Sequence, residues 1–474
     1  MVTPNALSAS PPAVVIAAPA SGSGKTTVAT GLMGALRAAG HRVAPFKVGP
    51  DYIDPGYHAL ATGLPGRNLD AVMVGADRIG PLFLHGSKGC DIAVVEGVMG
   101  LFDGKIDMSG GGAASAEGST AAIASSIGAP VVLVVDARGH SQSLAAVLHG
   151  FSTYDPSVRI GGVILNRVGS PRHEEVLRQA CERVGVPVLG SLPRMSELAV
   201  PSRHLGLITA LEHGGLAAQA VDAMADLVRE HVDLGAVQAL ARSSVTGAAW
   251  DAEAEICDHS NFSPVVAIAG GPAFTFGYAE HVELLRAAGA EVAVFDPLTD
   301  ALPERTAGIV VPGGFPEEHA EALASNGELL QDVRALAGRQ IPIHAECAGL
   351  LYLSRCLDGH AMAGVIDVDA RFGSQLTLGY RDAVALEDSV LFEAGERVTG
   401  HEFHRTMLVE TGTEHAAPAW GWRNPSATAE KRTVREGFVQ GRVHASYLHT
   451  HPAGNPRAVS RFVEACARFA AVES

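Results

Sequence analysis

Two short stretches of this 474-residue chain each demand a strand that ends abruptly where a helix begins. Pro19-Ala20-Ser21-Gly22-Ser23-Gly24-Lys25-Thr26-Thr27 follows the apolar run Val14–Ala17 and precedes an Ala/Leu-rich helical pattern over Thr26–Ala39. Ala345-Glu346-Cys347-Ala348-Gly349 follows Ile341–Ala345 and leads into Leu350-Leu351-Tyr352-Leu353. A fold that satisfies both junctions is built from strand–helix units, because only there does a loop sit at the carboxyl end of a strand and at the amino end of a helix.

The rest of the chain fits that constraint twice. Strands are expected at Val43–Lys47, Ile92–Glu96, Val131–Asp136 and Val163–Asn166, with helices over Ala114–Ser126, Gln142–Gly150 and His173–Val184. Around 241–263 the pattern thins into small and polar residues, and a second series then follows at Val265–Ala269, Glu280–Ala288, Val292–Phe295 and Gly308–Val311, ending in a helix over Ala458–Val472. The expected organisation is a loose tail over 1–12, an α/β domain with a mainly parallel sheet over 13–240, a linker over 241–263, and a second α/β domain over 264–474. A composition of 47% hydrophobic and 18% charged residues supplies two cores. The net charge of −16 argues against nucleic acid and anionic membranes as partners. No basic, apolar leader opens the sequence, and the six cysteines contain no C-x-x-C pair, so a cytoplasmic, reduced protein is expected.

Each junction carries its own chemistry. Backbone amides of a glycine-rich loop surround phosphate oxygens, so Gly22, Ser23, Gly24, Lys25, Thr26 and Thr27 form a candidate ATP site, with Lys25 on the β/γ-phosphates and the Thr26 hydroxyl on Mg²⁺. The first position of the usual G-x-x-x-x-G-K-[ST] pattern is Pro19 here. Loops after the next strands bring Lys47, Asp51 and Asp54, then Glu96 and Asp103, toward the same edge of the sheet. Thr26, Asp51 and Glu96 are the expected metal ligands; Lys47, Asp54 and Asp103 are the expected contacts to substrate and phosphoryl group. In the second series, Cys347 at its elbow is a candidate nucleophile. The Gly313-Gly314 turn is a candidate oxyanion site, and a base is expected within Tyr447-Leu448-His449-Thr450-His451.

The glycine turn, the Cys-x-Gly elbow and the late histidine resemble a class I glutamine amidotransferase domain. That family's usual H-x-E reads His449-Thr450-His451 here, which implies a Cys347–His449 dyad and leaves His451 as the alternative base. The first half resembles the dethiobiotin-synthetase-like ATPases, and Asn166-Arg167 is similar to the segment that reads adenine in that group, which makes Asn166 a further ATP contact. The whole chain over about 13–470 resembles the a,c-diamide synthases of corrinoid biosynthesis, through Phe46-Lys47-Val48-Gly49-Pro50-Asp51-Tyr52-Ile53-Asp54-Pro55, Val95-Glu96-Gly97-Val98-Met99-Gly100-Leu101-Phe102-Asp103-Gly104 and His401-Glu402-Phe403-His404. The resemblance is closest to the branch acting on metal-free hydrogenobyrinic acid. It implies ATP·Mg²⁺ and glutamine as reactants, two successive amidations through acyl phosphates, and a polycarboxylate macrocycle as substrate, with Lys47 and Arg194 among its basic contacts. His401 and His404 would shape the substrate or interdomain face. A homodimer is compatible with it.

Overall fold

The computed structural model describes residues 8–105, 116–194, 202–203, 206–207, 209–256, 262–410, 416–424 and 433–473. The chain divides into two compact units, Met1–Trp250 and Asp251–Ser474.

The first unit is a seven-stranded parallel sheet. Its strands are β1 (Ala13–Ala17), β2 (Val43–Val48), β3 (Arg67–Leu69), β4 (Ile92–Glu96), β5 (Val131–Asp136), β6 (Ile160–Val168) and β7 (Val188–Pro193), in the order β3-β2-β4-β1-β5-β6-β7. Helices α1 (Lys25–Ala38), α2 (Asp54–Thr62), α3 (Thr120–Ile127), α4 (Leu144–Thr153), α5 (Pro171–Arg183) and α6 (Gly215–His231) connect or cover these strands. Val14, Val15, Ile16, Val94, Val95, Val132 and Leu133 are fully buried, which is why these strands read as continuous apolar runs rather than as alternating ones. The strand order reverses beside β1, and the phosphate-type loop leaves β1 at that point.

Helix limits follow local chemistry. The Ser170 hydroxyl accepts from the His173 amide with Pro171 in the first turn, so α5 opens two residues before the expected His173. The helix expected over Ala114–Ser126 begins at Thr120, capped by the Ser119 hydroxyl; its first two positions lie outside the described residues. Ser8–Ala9 pairs antiparallel with Thr246–Gly247, the Ser10 hydroxyl donates to Ser243 Oγ, and the Trp250 amide donates to the Pro81 carbonyl. Parts of the stretches read as tail and linker thus belong to this unit; two-residue pairings leave no periodicity in a sequence. Residues 257–261 of the expected linker lie outside the described residues.

The second unit has a sheet in the order β9-β8-β10-β11-β17-β16, parallel except for its last pair. The strands are β8 (Val265–Ala269), β9 (Glu291–Phe295), β10 (Thr306–Val311), β11 (Ile343–Glu346), β16 (Phe438–Gln440) and β17 (Val443–Ser446), with α7 (Ala279–Ala287), α8 (Gly327–Gly338), α9 (Ala348–Leu353) and α10 (Pro456–Glu473). A second sheet, antiparallel along these pairings, is built on the long hairpin β12 (Val368–Ala385) and β13 (Arg397–Glu410), extended by β14 (Trp420–Arg423) and β15 (Thr433–Glu436). No described helix is long and apolar enough to cross a membrane.

Candidate active sites

In the first unit, α1 starts at Lys25 directly after Gly24, whose φ of 95° is left-handed, and no side chain caps the helix. The first-turn amides therefore face the loop, as an anion site requires. A Cβ on Gly24 would stand 2.2 Å from Asn166 Nδ2, so glycine is needed on steric as well as torsional grounds. Ser23 Oγ donates to the Ala20 carbonyl and braces the loop, while Thr27 lies in the first turn of α1. Asn166 donates from Nδ2 to the Ser23 carbonyl at 2.8 Å and accepts the Arg167 amide at Oδ1. Its amide is thus engaged with the loop backbone. Arg167, which the sequence pattern did not single out by itself, donates to the Gly22 carbonyl and pairs with Asp136.

Six side chains meet under the loop. Thr26 Oγ1 donates to Glu96 Oε1 at 2.6 Å and lies 3.3 Å from Asp54 Oδ2. Lys47 Nζ is 2.6 Å from Asp54 Oδ2, 3.1 Å from Glu96 Oε1 and 3.6 Å from Asp51 Oδ2. Burial alone would depress the Lys47 ammonium, but Asp54, Glu96 and Asp51 outweigh it and hold it above the usual lysine range. Burial acts on Glu96 in the opposite sense from its neighbours: Lys47, then His58 and Thr26, hold this carboxyl below the usual range. His58, four residues after Asp54 on α2, reaches Glu96 Oε2 at 2.6 Å. It was missed, and the i, i+4 spacing from Asp54 was the available signal. Asp51 is placed differently from Asp54. Its Oδ1 accepts the Ile53 and Asp54 amides, and burial followed by the Asp54 charge pushes its carboxyl up.

Thr26, Asp54 and Glu96 thus form a convergent all-oxygen set that already accommodates positive charge, and it fits a hard divalent cation. Of the two acids on this turn, Asp54 lies within 3.3 Å of Thr26 and 2.6 Å of Lys47, while Asp51, the expected ligand, lies 3.6 Å from Lys47. Lys25 Nζ donates to the Met99 carbonyl at 2.6 Å; burial and then the Lys47 charge lower its pKa. Asp103 is exposed and clamps its own turn, accepting the Gly100 amide at Oδ2. Arg194 is exposed just beyond β7.

In the second unit, Cys347 sits between β11 and α9 with φ 50° and ψ −100°, a conformation costing about 1–3 kcal/mol for a non-glycine residue. Its amide donates to the Ser446 carbonyl at 2.7 Å, which locks the elbow to β17. Burial pushes the Cys347 thiol up and the Glu317 carboxylate adds to this, while the Ala348 and Gly314 amides beside the sulfur act the other way. The thiol is therefore neutral at rest and needs a base. Ala348 is a donor the sequence pattern missed; being the residue after the nucleophile was its signal.

His449 is fully buried. A Cβ on Gly313 would stand 2.3 Å from His449 Cε1, so the imidazole packs on the first glycine of the turn whose second glycine faces the sulfur. His449 Nδ1 lies 3.7 Å from Glu346 Oε2. The alternative base is placed otherwise: His451 Nδ1 accepts the Ala453 amide as a helix cap, and its ring lies 4.1 Å from that of Tyr278. The Phe403 carbonyl is 3.9 Å from Cys347 Sγ, and His401 exchanges both backbone hydrogen bonds with His449. The His401–His404 segment therefore walls the cysteine site. His404 stacks on Tyr447 at 3.7 Å, and Glu402 pairs with Arg381. A cavity of about 490 Å³ lies alongside, lined among others by Glu402, His404, Arg405, Arg435, Glu436 and Tyr447.

A phosphate-loop unit with a cation-ready carboxylate cluster, followed by a cysteine–histidine elbow unit, defines a glutamine-hydrolysing ligase. Residues 14–208 match the family model described as the CobQ/CobB/MinD/ParA nucleotide binding domain, and residues 265–456 match the CobB/CobQ-like glutamine amidotransferase domain. The hydrogenobyrinate a,c-diamide synthase of Mycobacterium tuberculosis (strain ATCC 25618 / H37Rv) is 60% identical over 95% of this chain and 97% of its own. That of Streptomyces coelicolor is 56% identical over 96% and 97%. The cobyrinate a,c-diamide synthase of Synechococcus sp. is 39% identical over 97% and 99%. The chain belongs to the a,c-diamide synthase family.

Proposed function

We propose that this protein amidates the a and c carboxylates of hydrogenobyrinic acid, using ATP and glutamine. The observation that carries this reading is the joint presence of the two sites in a chain 50–60% identical to five hydrogenobyrinate a,c-diamide synthases but 39–40% identical to three cobyrinate a,c-diamide synthases.

In the second unit, the Cys347 S–H proton passes to His449 as the sulfur attacks the glutamine side-chain carbonyl. The Gly314 and Ala348 amides stabilise the oxyanion, worth about 2.7–4 kcal/mol per donor. His449 returns the proton to the leaving ammonia, and water cleaves the thioester to give glutamate. The cavity beside Tyr447, lined by the acids Glu402 and Glu436 and the bases Arg405 and Arg435, suits the ammonium and carboxylate of an amino acid. In the first unit, Lys25 and the loop amides hold the triphosphate of ATP, and Asn166 and Arg167 hold the loop. Thr26, Asp54 and Glu96 would hold Mg²⁺, directly or through water, with Asp51 behind them; the ion supplies charge neutralisation to the transferring phosphoryl group. Lys47 keeps the carboxylates in place and offers positive charge to the acyl phosphate. A substrate carboxylate takes the γ-phosphoryl group from ATP, releasing ADP, and ammonia displaces phosphate to leave the amide. We place the protein in the cytoplasm, consistent with five unbridged cysteines among the described residues.

The test is incubation with ATP, Mg²⁺ and glutamine, offering hydrogenobyrinic acid and cobyrinic acid separately, with products followed by mass spectrometry. A diamide from the metal-free acid is expected. Turnover of the cobalt acid alone would move the chain to the other branch, and no amide from either would overturn the reading.

A further inference from the structure

Glu346 precedes the nucleophile, and an acid beside a catalytic cysteine would ordinarily project to the other face of the strand and take no part. Here the backbone turns at Cys347, and the Glu346 carboxylate is gripped from the segment that carries the base. Its Oε1 accepts the Thr450 amide at 3.1 Å and the Thr450 hydroxyl at 2.9 Å, and it lies 3.3 Å from His344 Nε2. With Oε1 so held, Oε2 is left directed at His449 Nδ1, 3.7 Å away. Position 451, where an acid two residues after the base would stand, is occupied by a helix-capping histidine.

We infer that Glu346 is the positioning residue for His449, supplying from the nucleophile's own strand the carboxylate that is absent after the base. This rests on the glutaminase reading of the second unit. Held by Glu346 at Nδ1, the imidazole presents Nε2 for the Cys347 proton, and the carboxylate stabilises the imidazolium that forms. Other titratable groups near Glu346 are His344 on β11, His451 beyond β17, His444 on β17 and His281 on α7. Burial, followed by the neighbouring His344, pushes His281 down to about 4 and His444 down to about 3, so both stay neutral where the enzyme works. Glu346 itself is held well below the usual carboxylate range: burial opposes this, but the neighbouring His344 and His449 imidazoles prevail.

The experiment uses the full chain carrying Glu346→Gln, which keeps acceptors for Thr450 but removes the charge, and Glu346→Asp, which keeps the charge on a shorter arm. Three quantities are read: kcat and KM for glutamine hydrolysis, the pH dependence of Cys347 alkylation by iodoacetamide at the peptide level, and synthesis from free ammonia. For Glu346→Gln, kcat should fall roughly 100- to 10,000-fold with KM changed less than about threefold. The alkylation profile should move up by about one pH unit, the lost counter-charge of the imidazolium outweighing the removal of the Glu346 charge that by itself pushes the thiol up. Ammonia-dependent synthesis should persist, and Glu346→Asp should recover about tenfold of the lost kcat. An unmoved alkylation profile in a folded Gln variant would overturn the role. Should that variant not fold, wild-type kcat in Glu346→Asp would overturn it. Alkylation needs no substrate, so this outcome is separable from failure of the corrinoid assignment.

Discussion

At the scale of single residues, both sites depend on side chains that are missing as much as on those present. Gly313 leaves the space that the His449 imidazole occupies, with a prospective Cβ only 2.3 Å from Cε1. Gly313→Ala should therefore displace the base and lower glutamine hydrolysis at least about 100-fold, while synthesis from added ammonia continues. Near-normal hydrolysis would mean that His449 is not the base. Much of the residue-level placement was legible: Lys25, Thr26, Lys47, Glu96 and Cys347 stand in motifs whose local geometry determines their neighbours. Glu346, His58 and Ala348 were not read as site residues. Glu346 meets His449 only because β17 lies beside β11 and the chain then turns at Thr450, about a hundred positions downstream. Asp51 and Asp54 are placed differently for a related reason, since two acids on one turn are separated by which of them the backbone amides claim.

At the scale of elements, the parallel strands were visible because burial on both faces makes them uniformly apolar. The hairpin β12–β13 was not. Its residues are half-exposed along much of its length, and the pairing register shifts between Phe372 and Thr377, which erases the alternation a strand would otherwise display. The neighbouring β15 carries a consequence that can be measured. Glu436 accepts the Ser446 hydroxyl at 2.6 Å and the Tyr447 amide at 2.7 Å, yet burial raises its carboxyl from 4.5 to about 7. Between those values the folded state holds a proton that the unfolded chain has released, so this carboxyl costs stability as pH rises through the window. Glu436→Gln keeps the shape without the titration. Its unfolding free energy should exceed that of the wild type by on the order of 1–3 kcal/mol near pH 8 and converge with it near pH 5. Parallel stability–pH curves for the two proteins would contradict this.

At the scale of the whole molecule, the two chemistries should come apart by substitution. Cys347→Ser should abolish glutamine-dependent synthesis and spare synthesis from free ammonia, because serine lacks the thiolate while the first unit is untouched. Lys25→Ala should remove synthesis from either nitrogen source and leave glutamine hydrolysis measurable. Loss of both activities in either variant would contradict independent sites, and paired assays on purified protein decide it. The division into two units was legible from the repeated strand–helix alternation; the segments stitched to the edge of the first unit were not. That stitching has a consequence of its own. Because Ser8–Ala9 runs antiparallel beside Thr246–Gly247, the ATP-handling unit is close to a closed circuit whose entry and exit are adjacent. It is therefore a ready subject for circular permutation: a short peptide joining those two strands, with new ends opened in an exposed turn away from the phosphate loop, should give a rearranged chain that folds to the same sheet.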